Sequence, residues 1–330
     1  MMKLKAFALN EIGGRSNQED CIFPPKGESA DDALFFMVCD GMGGHEDGEM
    51  ASRSVCDSFA NFLRPYKPDA ITSETLERAL AYACDELDKQ DATPDDAKKP
   101  GTTLTFFCLN SQGALMAHIG DSRIYHLRRQ PDGTAQILFR TEDHSLVNDL
   151  LRAKVITPEE AENHPEKNLV SRIIQAKAKR RSKLDITQTA DVRPGDLFLL
   201  CSDGILEQVK DAKLCETVAA NPDAKAIIDE IKSLCEGKSK DNFSAYLLEA
   251  YQEGEQEHMT SQQPTHSKWL PVAFFAILLA LAGAAFFLLT KTPEAKKAQP
   301  NKDVKTEVRQ ETPDSLKNKN NNNEKTDKTE

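Results

Sequence analysis

The stretch that most constrains the fold is residues 34–39, an unbroken run of six apolar residues followed directly by Asp40 and Gly41. A short apolar run rich in aromatic and branched residues predicts a strand that is buried on both faces. Asp40 would lie where this strand ends, and a carboxylate beside a core must be solvated, paired or bound to a metal. Gly41 lacks a side chain, so its carbonyl could bind the same ion. The alternative is an ordinary Asp-Gly turn.

Composition limits the classes of protein to which the chain can belong. It has 330 residues and a formal net charge of −11, which argues against nucleic acid as its main partner and suits a protein that binds divalent cations. Residues 1–250 suffice for one large domain with its own core. The eight cysteines include no Cys-x-x-Cys pair, and three of them lie in apolar runs. This pattern predicts free thiols in a reducing compartment.

The C-terminal part of the chain differs sharply from the rest. Residues 269–290 are almost wholly apolar and uncharged, which is long enough to cross a hydrocarbon core of ~30 Å. We therefore predict a transmembrane helix at 269–290, with a buried core helix as the alternative. Residues 251–268 are polar and predict a linker. Residues 291–330 are rich in lysine, asparagine and glutamate and predict a disordered tail.

Within residues 1–250, apolar periodicity predicts alternating groups of strands and helices. Strands are predicted at 3–9, 21–24, 34–39, 102–109, 114–119, 123–127, 135–140, 196–201 and 243–250. Helices are predicted at 51–62, from Ser73 to about Leu87, and after Asn221-Pro222, which would provide a cap and first turn. Residues 145–181 are predicted to be helical or irregular.

Acidic residues stand beside several of these strand ends: Glu19 and Asp20, Asp40, Asp203, and Asp241. If the strands enter one core, their ends can meet at one rim, where clustered carboxylates would repel one another. Mg²⁺ or Mn²⁺ relieves such repulsion, and two ions ~3.5–4 Å apart can turn a shared water into a nucleophile. Taken singly, each aspartate could equally be a turn or cap residue.

Seven short motifs occur along the chain in one order, and together they are more specific than any one alone. They are Gly13-Gly14-Arg15-Ser16-Asn17-Gln18-Glu19-Asp20, Val38-Cys39-Asp40-Gly41-Met42-Gly43-Gly44-His45, Gly101-Thr102-Thr103, Gly120-Asp121-Ser122-Arg123-Ile124-Tyr125, Asp143-His144-Ser145, Leu200-Cys201-Ser202-Asp203-Gly204 and Asp241-Asn242-Phe243-Ser244. In these motifs the chain resembles the metal-dependent serine/threonine protein phosphatases of type 2C, in their compact bacterial form. The resemblance covers residues 3–249.

The resemblance implies an α+β fold, a four-layer α-β-β-α sandwich of two antiparallel sheets flanked by helices, with metals in a cleft at one edge. At matching positions it implies that Asp40 bridges two Mn²⁺ or Mg²⁺ ions and that the Gly41 carbonyl binds one of them. Asp203 and Asp241 would hold the second ion.

The resemblance implies further roles for the neighbouring residues. Glu19 and Asp20 would orient metal-bound waters, Arg15 would grip the substrate phosphate, and Asp121 would bind a third, weaker metal. Taken alone, Arg15 could be in a surface ion pair and Asp121 in a hairpin turn. Met42 stands where some eukaryotic members have a histidine proposed as general acid.

We therefore predict a phosphatase that hydrolyses phosphoserine and phosphothreonine on proteins and opposes a membrane serine/threonine kinase. The alternative is a catalytically weak scaffold of the same fold that binds phosphoproteins.

For the topology, the absence of a signal-peptide core and the free thiols predict a cytoplasmic catalytic domain on a single-pass inner-membrane anchor. The charges that flank the span, Lys291 against Glu249 and Glu253 for example, instead favour a cytoplasmic tail.

Overall fold

Two antiparallel sheets pack face to face, and helices cover the outer face of each. The computed structural model describes residues 2–27, 30, 33–43, 47–94, 97–167 and 169–253. The strands in these residues are β1 (Met2–Glu11), β2 (Asp20–Phe23), β3 (Phe35–Met42), β4 (Gly101–Thr102), β5 (Leu104–Asn110), β6 (Gly113–Ile119), β7 (Arg123–Arg129), β8 (Ala135–Arg140), β9 (Ile174–Gln175), β10 (Asp185–Thr189), β11 (Leu197–Cys201) and β12 (Phe243–Gln252). The α-helices are α1 (Asp47–Leu63), α2 (Ser73–Gln90), α3 (Leu146–Arg152), α4 (Pro158–Glu162), α5 (Asp203–Leu206), α6 (Asp211–Ala220) and α7 (Ala224–Cys235).

The strand order brings distant parts of the chain side by side. One sheet has five strands in the order β1-β12-β11-β7-β8, and the other follows the order β10-β6-β5-β3-β4-β9, with β2 paired to β3. Every pairing is antiparallel. The first and last strands pair along their whole length, from Met2 opposite Gln252 to Glu11 opposite Phe243. Residues 11 and 243 are thereby neighbours at the same end of the sandwich.

Alternation along β3 explains why its sequence is apolar without a break. Phe36 and Val38 face the other sheet, where they pack with residues such as Phe198 and Leu200 of β11. The alternate residues of β3, Phe35, Met37 and Cys39, pack against the helical layer. Because successive strand residues point to opposite faces, Asp40 falls on the same face as Phe36 and Val38, at the rim between the sheets.

The helices form the two outer layers. Helices α1 and α2 cover the sheet that contains β3, and α5, α6 and α7 cover the five-stranded sheet. The Thr72 side chain accepts a hydrogen bond from the Thr75 N–H and caps α2. At α7 the cap is Asp223, which accepts from the Ala226 N–H, whereas Asn221 ends α6. The predicted cap at Asn221-Pro222 was therefore wrong by two residues.

The α-β-β-α sandwich predicted from the sequence is confirmed, with differences of detail. The predicted strand 102–109 is divided at Thr103, since the Thr103 N–H turns to donate to the Asp40 carbonyl. Strand β10 was missed because Asp185–Thr189 contains a single apolar residue and lies at a sheet edge. Helix α6 was missed because its buried face includes Thr217 as well as Leu214 and Val218.

Among the residues that the structure describes, no helix is long and apolar enough to cross a membrane. The predicted span at 269–290 lies outside the described residues, as do most of the predicted linker and the predicted tail.

Candidate metal centre

Four aspartates come to the rim between the sheets from separate strand ends. Asp40 lies near the end of β3, Asp121 in the turn between β6 and β7, Asp203 directly after β11, and Asp241 just before β12. The charges of Asp203, Asp121 and Asp241 all act on Asp40, and the Asp40 and Asp203 carboxyls share a hydrogen bond. Carboxylates separated by up to 201 positions in the sequence therefore occupy one site.

The pKa values of these carboxyl groups are raised because the groups are buried close together. Burial, followed by the charges of Asp20 and Asp203, raises the pKa of Asp40 well above its ordinary value. Burial and then the charge of Asp241 raise the pKa of Asp203 to about 6. Burial and the charges of Asp203 and Asp143 raise that of Asp121 to about 7. Like charges in a partly dry site are the cause, and a bound cation would remove it.

Asp20 lies behind this group, where β2 pairs with β3, and its Cα is opposite that of Asp40. Its side chain is only 6% exposed, and Ser202 Oγ donates to Asp20 Oδ2 at 2.7 Å. Burial raises the pKa of Asp20 to about 7, despite that hydrogen bond. Asp20 thus holds the start of the Asp203 turn against β2.

The backbone around Asp40 is held on both sides. The Asp40 N–H donates to Thr103 Oγ1 at 3.0 Å, and Thr102 Oγ1 donates to the Asp40 carbonyl at 2.8 Å. The Gly41 N–H donates to the Glu19 carbonyl at 3.1 Å. A Cβ at Gly41 would lie 2.0 Å from the Gly48 carbonyl oxygen, so only glycine permits this approach of helix α1.

Arg15 reaches the site on the turn that connects β1 to β2. Its Nη2 donates to Asp241 Oδ2 at 2.5 Å. This hydrogen bond, with the charges of Asp241, Glu19 and Asp40, raises the pKa of Arg15. The turn itself requires Gly13, whose φ is +60° and whose Cβ would lie 1.9 Å from the Asp241 carbonyl oxygen.

Asn242 fastens this turn to the start of β12. Its Oδ1 accepts from the Glu19 N–H at 2.8 Å, and its Nδ2 donates to the carbonyls of Ile12 and Asn17 at 2.8 and 2.9 Å. The side chain is 2% exposed, so these are buried hydrogen bonds that water does not replace. Asn242 therefore sets where Arg15 and Glu19 lie relative to the neighbouring Asp241.

All the residues singled out from the sequence lie at this rim: Arg15, Glu19, Asp20, Asp40, Gly41, Asp121, Asp203 and Asp241. Asn242, Thr103 and Ser202 also lie at the rim, but their sequence motifs predicted no role for them. In the sequence each is simply a polar residue next to a buried strand, and its role can be inferred only once its hydrogen-bond partners are known.

A second group that resembles a metal site lies behind the Asp121 turn. His118, His144 and Asp185 place one ligand atom each within 4.8 Å of the others. The two imidazole rings, however, stack in parallel, with centroids 4.5 Å apart and 16° between their planes, so their lone pairs cannot converge on one ion. His144 Nδ1 accepts the Gly120 N–H at 2.9 Å, and its Nε2 lies 3.0 Å from Asp185 Oδ2. This trio ties β10 to the Asp121 turn.

The rim, by contrast, fits divalent cations. Among the described residues it brings together six carboxylates, those of Glu19 and the five aspartates, whereas the guanidiniums that act on them are those of Arg15 and, at Asp121, Arg123. Oxygen donors with excess negative charge are the ligand set that Mg²⁺ and Mn²⁺ prefer.

Comparison with known proteins identifies relatives with the same sequence pattern and fold. A family model described as protein phosphatase 2C matches residues 12–250. The serine/threonine protein phosphatase PstP of Mycobacterium tuberculosis is 30% identical over 236 residues, a match that spans 71% of this chain but only 42% of PstP. The serine/threonine phosphatase stp of Listeria innocua is 32% identical over 228 residues, which cover 67% of this chain and 86% of stp. A crystal structure of the PstP catalytic domain with two manganese ions superposes with a TM-score of 0.61 and 28% identity, covering 76% of this chain and 100% of that one.

Proposed function

Because the chain belongs to the protein phosphatase 2C family, we propose that it hydrolyses phosphoserine and phosphothreonine esters in proteins with divalent cations as cofactors. The observation that carries this proposal is the meeting of Asp40, Asp121, Asp203 and Asp241 at one rim, with Arg15 beside them. A purely structural cluster would be neutralised by basic side chains, as buried charges usually are.

In the proposed site Asp40 and the Gly41 carbonyl would hold the first ion, and Asp40, Asp203 and Asp241 would hold the second. Glu19 and Asp20 would orient water, and Asp121 would contribute to a third, weaker site. The relative crystallised with two manganese ions supports Mn²⁺ as one cofactor, with Mg²⁺ the other candidate. When bound, such ions neutralise the phosphate and lower the pKa of a coordinated water, so that it can attack phosphorus.

Arg15 provides the cation of the chain itself. A guanidinium presents a planar fork of donors that matches two phosphate oxygens, and it stays charged at any working pH. Arg15 is half exposed and lies within hydrogen-bonding distance of Asp241, so its head already points into the site. We assign it to binding the substrate phosphate and to stabilising the charge that develops during in-line displacement. Met42 holds no acidic proton, so it cannot protonate the leaving alkoxide.

Membrane attachment is a separate part of the proposal. Residues 269–290 would anchor the protein in the inner membrane as a single-pass helix, with residues 1–250 in the cytoplasm, where a serine/threonine kinase would supply the substrates. Protease treatment of spheroplasts, in which the outer membrane is opened and the inner membrane is intact, tests the orientation: digestion of the tail 291–330 supports it, and protection of the tail contradicts it.

The activity is tested with the full-length protein and a phosphothreonine peptide. We expect phosphate release that requires Mn²⁺ or Mg²⁺ and stops with EDTA, and the Asp40→Ala variant should release none above background. Metal-independent release, or full activity in Asp40→Ala, would refute the assigned roles. Tight phosphopeptide binding without any release would instead favour the scaffold function.

A further inference from the structure

A groove of about 730 Å³ runs between helices α1 and α2, outside the metal site. One end is lined by Asn17, whose Nδ2 donates to Glu19 Oε1 at 3.3 Å, so the groove begins at the turn that carries Arg15. From there its lining follows α1 from Glu49 to Asn61. These 13 residues of helix span ~18 Å, enough for about five residues of extended chain.

The groove is lined by one face of each helix. Glu49, Arg53 and Asp57 are spaced four residues apart on α1, and Tyr82 and Glu86 are spaced in the same way on α2. Residues four apart on a helix lie on one face, so each row forms one wall of the groove. Tyr82 is 40% exposed, so part of its ring faces solvent on the α2 wall.

The charges along these walls are mostly negative. Arg53 Nη2 donates to Glu49 Oε1 at 3.0 Å, so these two charges cancel within the groove. Asp57 forms no ion pair with any residue that the structure describes. Glu86 accepts from Lys89, whose side chain is 67% exposed and outside the lining. Lys89 thus neutralises Glu86, so the negative charge that no described residue pairs in this groove is that of Asp57, which suits a lysine or arginine.

A buried hydroxyl in the groove points independently to an occupant. Ser54 is 4% exposed, and its Oγ has no hydrogen-bond partner among the described residues. Ser54 is one of the residues of α1 that line the groove. Leaving a buried hydroxyl unpaired costs free energy, and such groups commonly mark a site that a ligand completes. A passing peptide offers backbone N–H and carbonyl groups for this purpose.

We propose that this groove binds the polypeptide that flanks the phosphorylated residue of the substrate, and that it favours lysine or arginine there. The proposal rests on the proposed function, because the groove opens beside the turn that would hold the phosphate. Its length, the unneutralised carboxylate of Asp57, the unpaired Ser54 hydroxyl and the exposed aromatic ring all suit an extended basic segment.

The test compares two phosphothreonine peptides that differ only in having lysines or glutamines on both sides of the phosphothreonine. For the full-length protein we expect kcat/KM about fivefold higher for the lysine peptide, mainly through KM, and a preference that fades in high salt. Asp57→Asn/Glu86→Gln should abolish that preference while hydrolysis of a small aryl phosphate stays unchanged. Ser54→Ala should raise KM for both peptides alike.

A matched control is Glu216→Gln/Asp229→Asn, which changes net charge equally but on helices α6 and α7. It should keep the wild-type preference. Equal loss of preference in both double variants, or its retention in Asp57→Asn/Glu86→Gln, would overturn the proposal.

Binding of the same peptides without phosphate, measured by fluorescence anisotropy, separates this proposal from the proposed function. If the unphosphorylated lysine peptide binds more tightly than the glutamine peptide, but neither phosphothreonine peptide is hydrolysed, the groove is supported and the phosphatase activity is not. If both phosphothreonine peptides are hydrolysed at equal rates and both unphosphorylated peptides bind equally, the activity is supported and the groove is not.

Discussion

Strand β11 has an aspartate beside each end, and the pKa values of the two aspartates shift in opposite directions. Asp196 precedes the strand and is fully buried, yet hydrogen bonds from Arg128 and His126 outweigh that burial and lower its pKa to about 2. Asp203 follows the strand, and burial and the charge of Asp241 raise its pKa to about 6. Five strand residues, ~17 Å of backbone, separate the two environments.

The difference lies in the partners. Arg128 donates to both carboxylate oxygens of Asp196 at 2.6 and 2.7 Å, and the Arg193 N–H adds a further bond at 2.9 Å. Asp203 instead faces other carboxylates. A buried carboxylate with its own arginine stabilises the fold, whereas a group of carboxylates that outnumbers the nearby arginines is suited to binding cations.

The largest effect should come from removing one carboxylate of the rim. We expect Asp203→Asn to lower kcat/KM for a phosphothreonine peptide at least about 100-fold, since loss of a ligand should cost more than the 10–100-fold typical of its outer partners. The metal-free variant should unfold at the same temperature as wild type or higher, because one repelling charge is gone. A variant that keeps its activity would show that Asp203 is not a ligand.

Removing Asp196 should instead lower the stability of the protein and leave its activity unchanged. Asp196→Asn leaves Arg128 without its buried partner, and we expect a loss of about 3 kcal/mol in the free energy of unfolding by urea. The activity of the folded protein should not change. Asp191→Asn is the matched control, because Asp191 contacts the same Arg128 but is exposed, so its loss should cost less than about 1 kcal/mol. Equal losses of unfolding free energy in Asp196→Asn and Asp191→Asn would contradict a stabilising role for the buried pair of Asp196 with Arg128.

Asn242 tests whether the Arg15 turn must be held in place. We expect Asn242→Ala to lower kcat/KM about 10-fold, chiefly by raising KM, because Arg15 loses its fixed position while Asp241 remains. Asn221→Ala, which removes a side chain at the end of α6, is the control for a purely structural loss. An unchanged KM in Asn242→Ala would mean that the turn holds its shape without this side chain.

The smallest expected effect is the pH dependence of stability without metal. The folded-state pKa values of Asp20 and Asp121 are about 7 and that of Asp203 about 6, all above those of the unfolded chain. The folded protein therefore binds more protons than the unfolded one in this range, so its stability falls as pH rises.

We expect chelator-treated protein to lose about 1–2 kcal/mol between pH 6.5 and 8 in urea unfolding, and saturating Mn²⁺ to remove this trend. Asp196 contributes nothing to that range, because its stabilisation is lost only as pH falls toward 2. Stability that is independent of pH without metal would count against a crowded rim.

The parts of this comparison that the sequence could predict are those that depend on local pattern. The apolar run before Asp40 predicted a doubly buried strand because its alternate residues pack against different layers. The partners of Asp196 could not be predicted in this way, since Arg128 lies 68 residues away and meets it only through the pairing of β7 with β11.

In the candidate site, too, the sequence could predict the residues that belong to local patterns but not those that depend on distant partners. Its aspartates were recognisable because each stands beside an apolar strand within a short motif. The roles of Asn242 and Thr103 were not, because hydrogen bonds to backbone groups of distant turns leave no spacing in the sequence. Likewise, Asp185–Thr189 pairs as a strand through its backbone alone, with little apolar pattern to reveal it.

Calorimetric titration of Mn²⁺ into chelator-treated, full-length protein shows whether the carboxylates of the rim bind cations. We expect uptake of about two ions by wild type and by Asp196→Asn, and the loss of that uptake in Asp40→Asn. Uptake by Asp40→Asn equal to that of wild type would contradict this expectation, because the carboxylate at the centre of the rim would then play no part in binding.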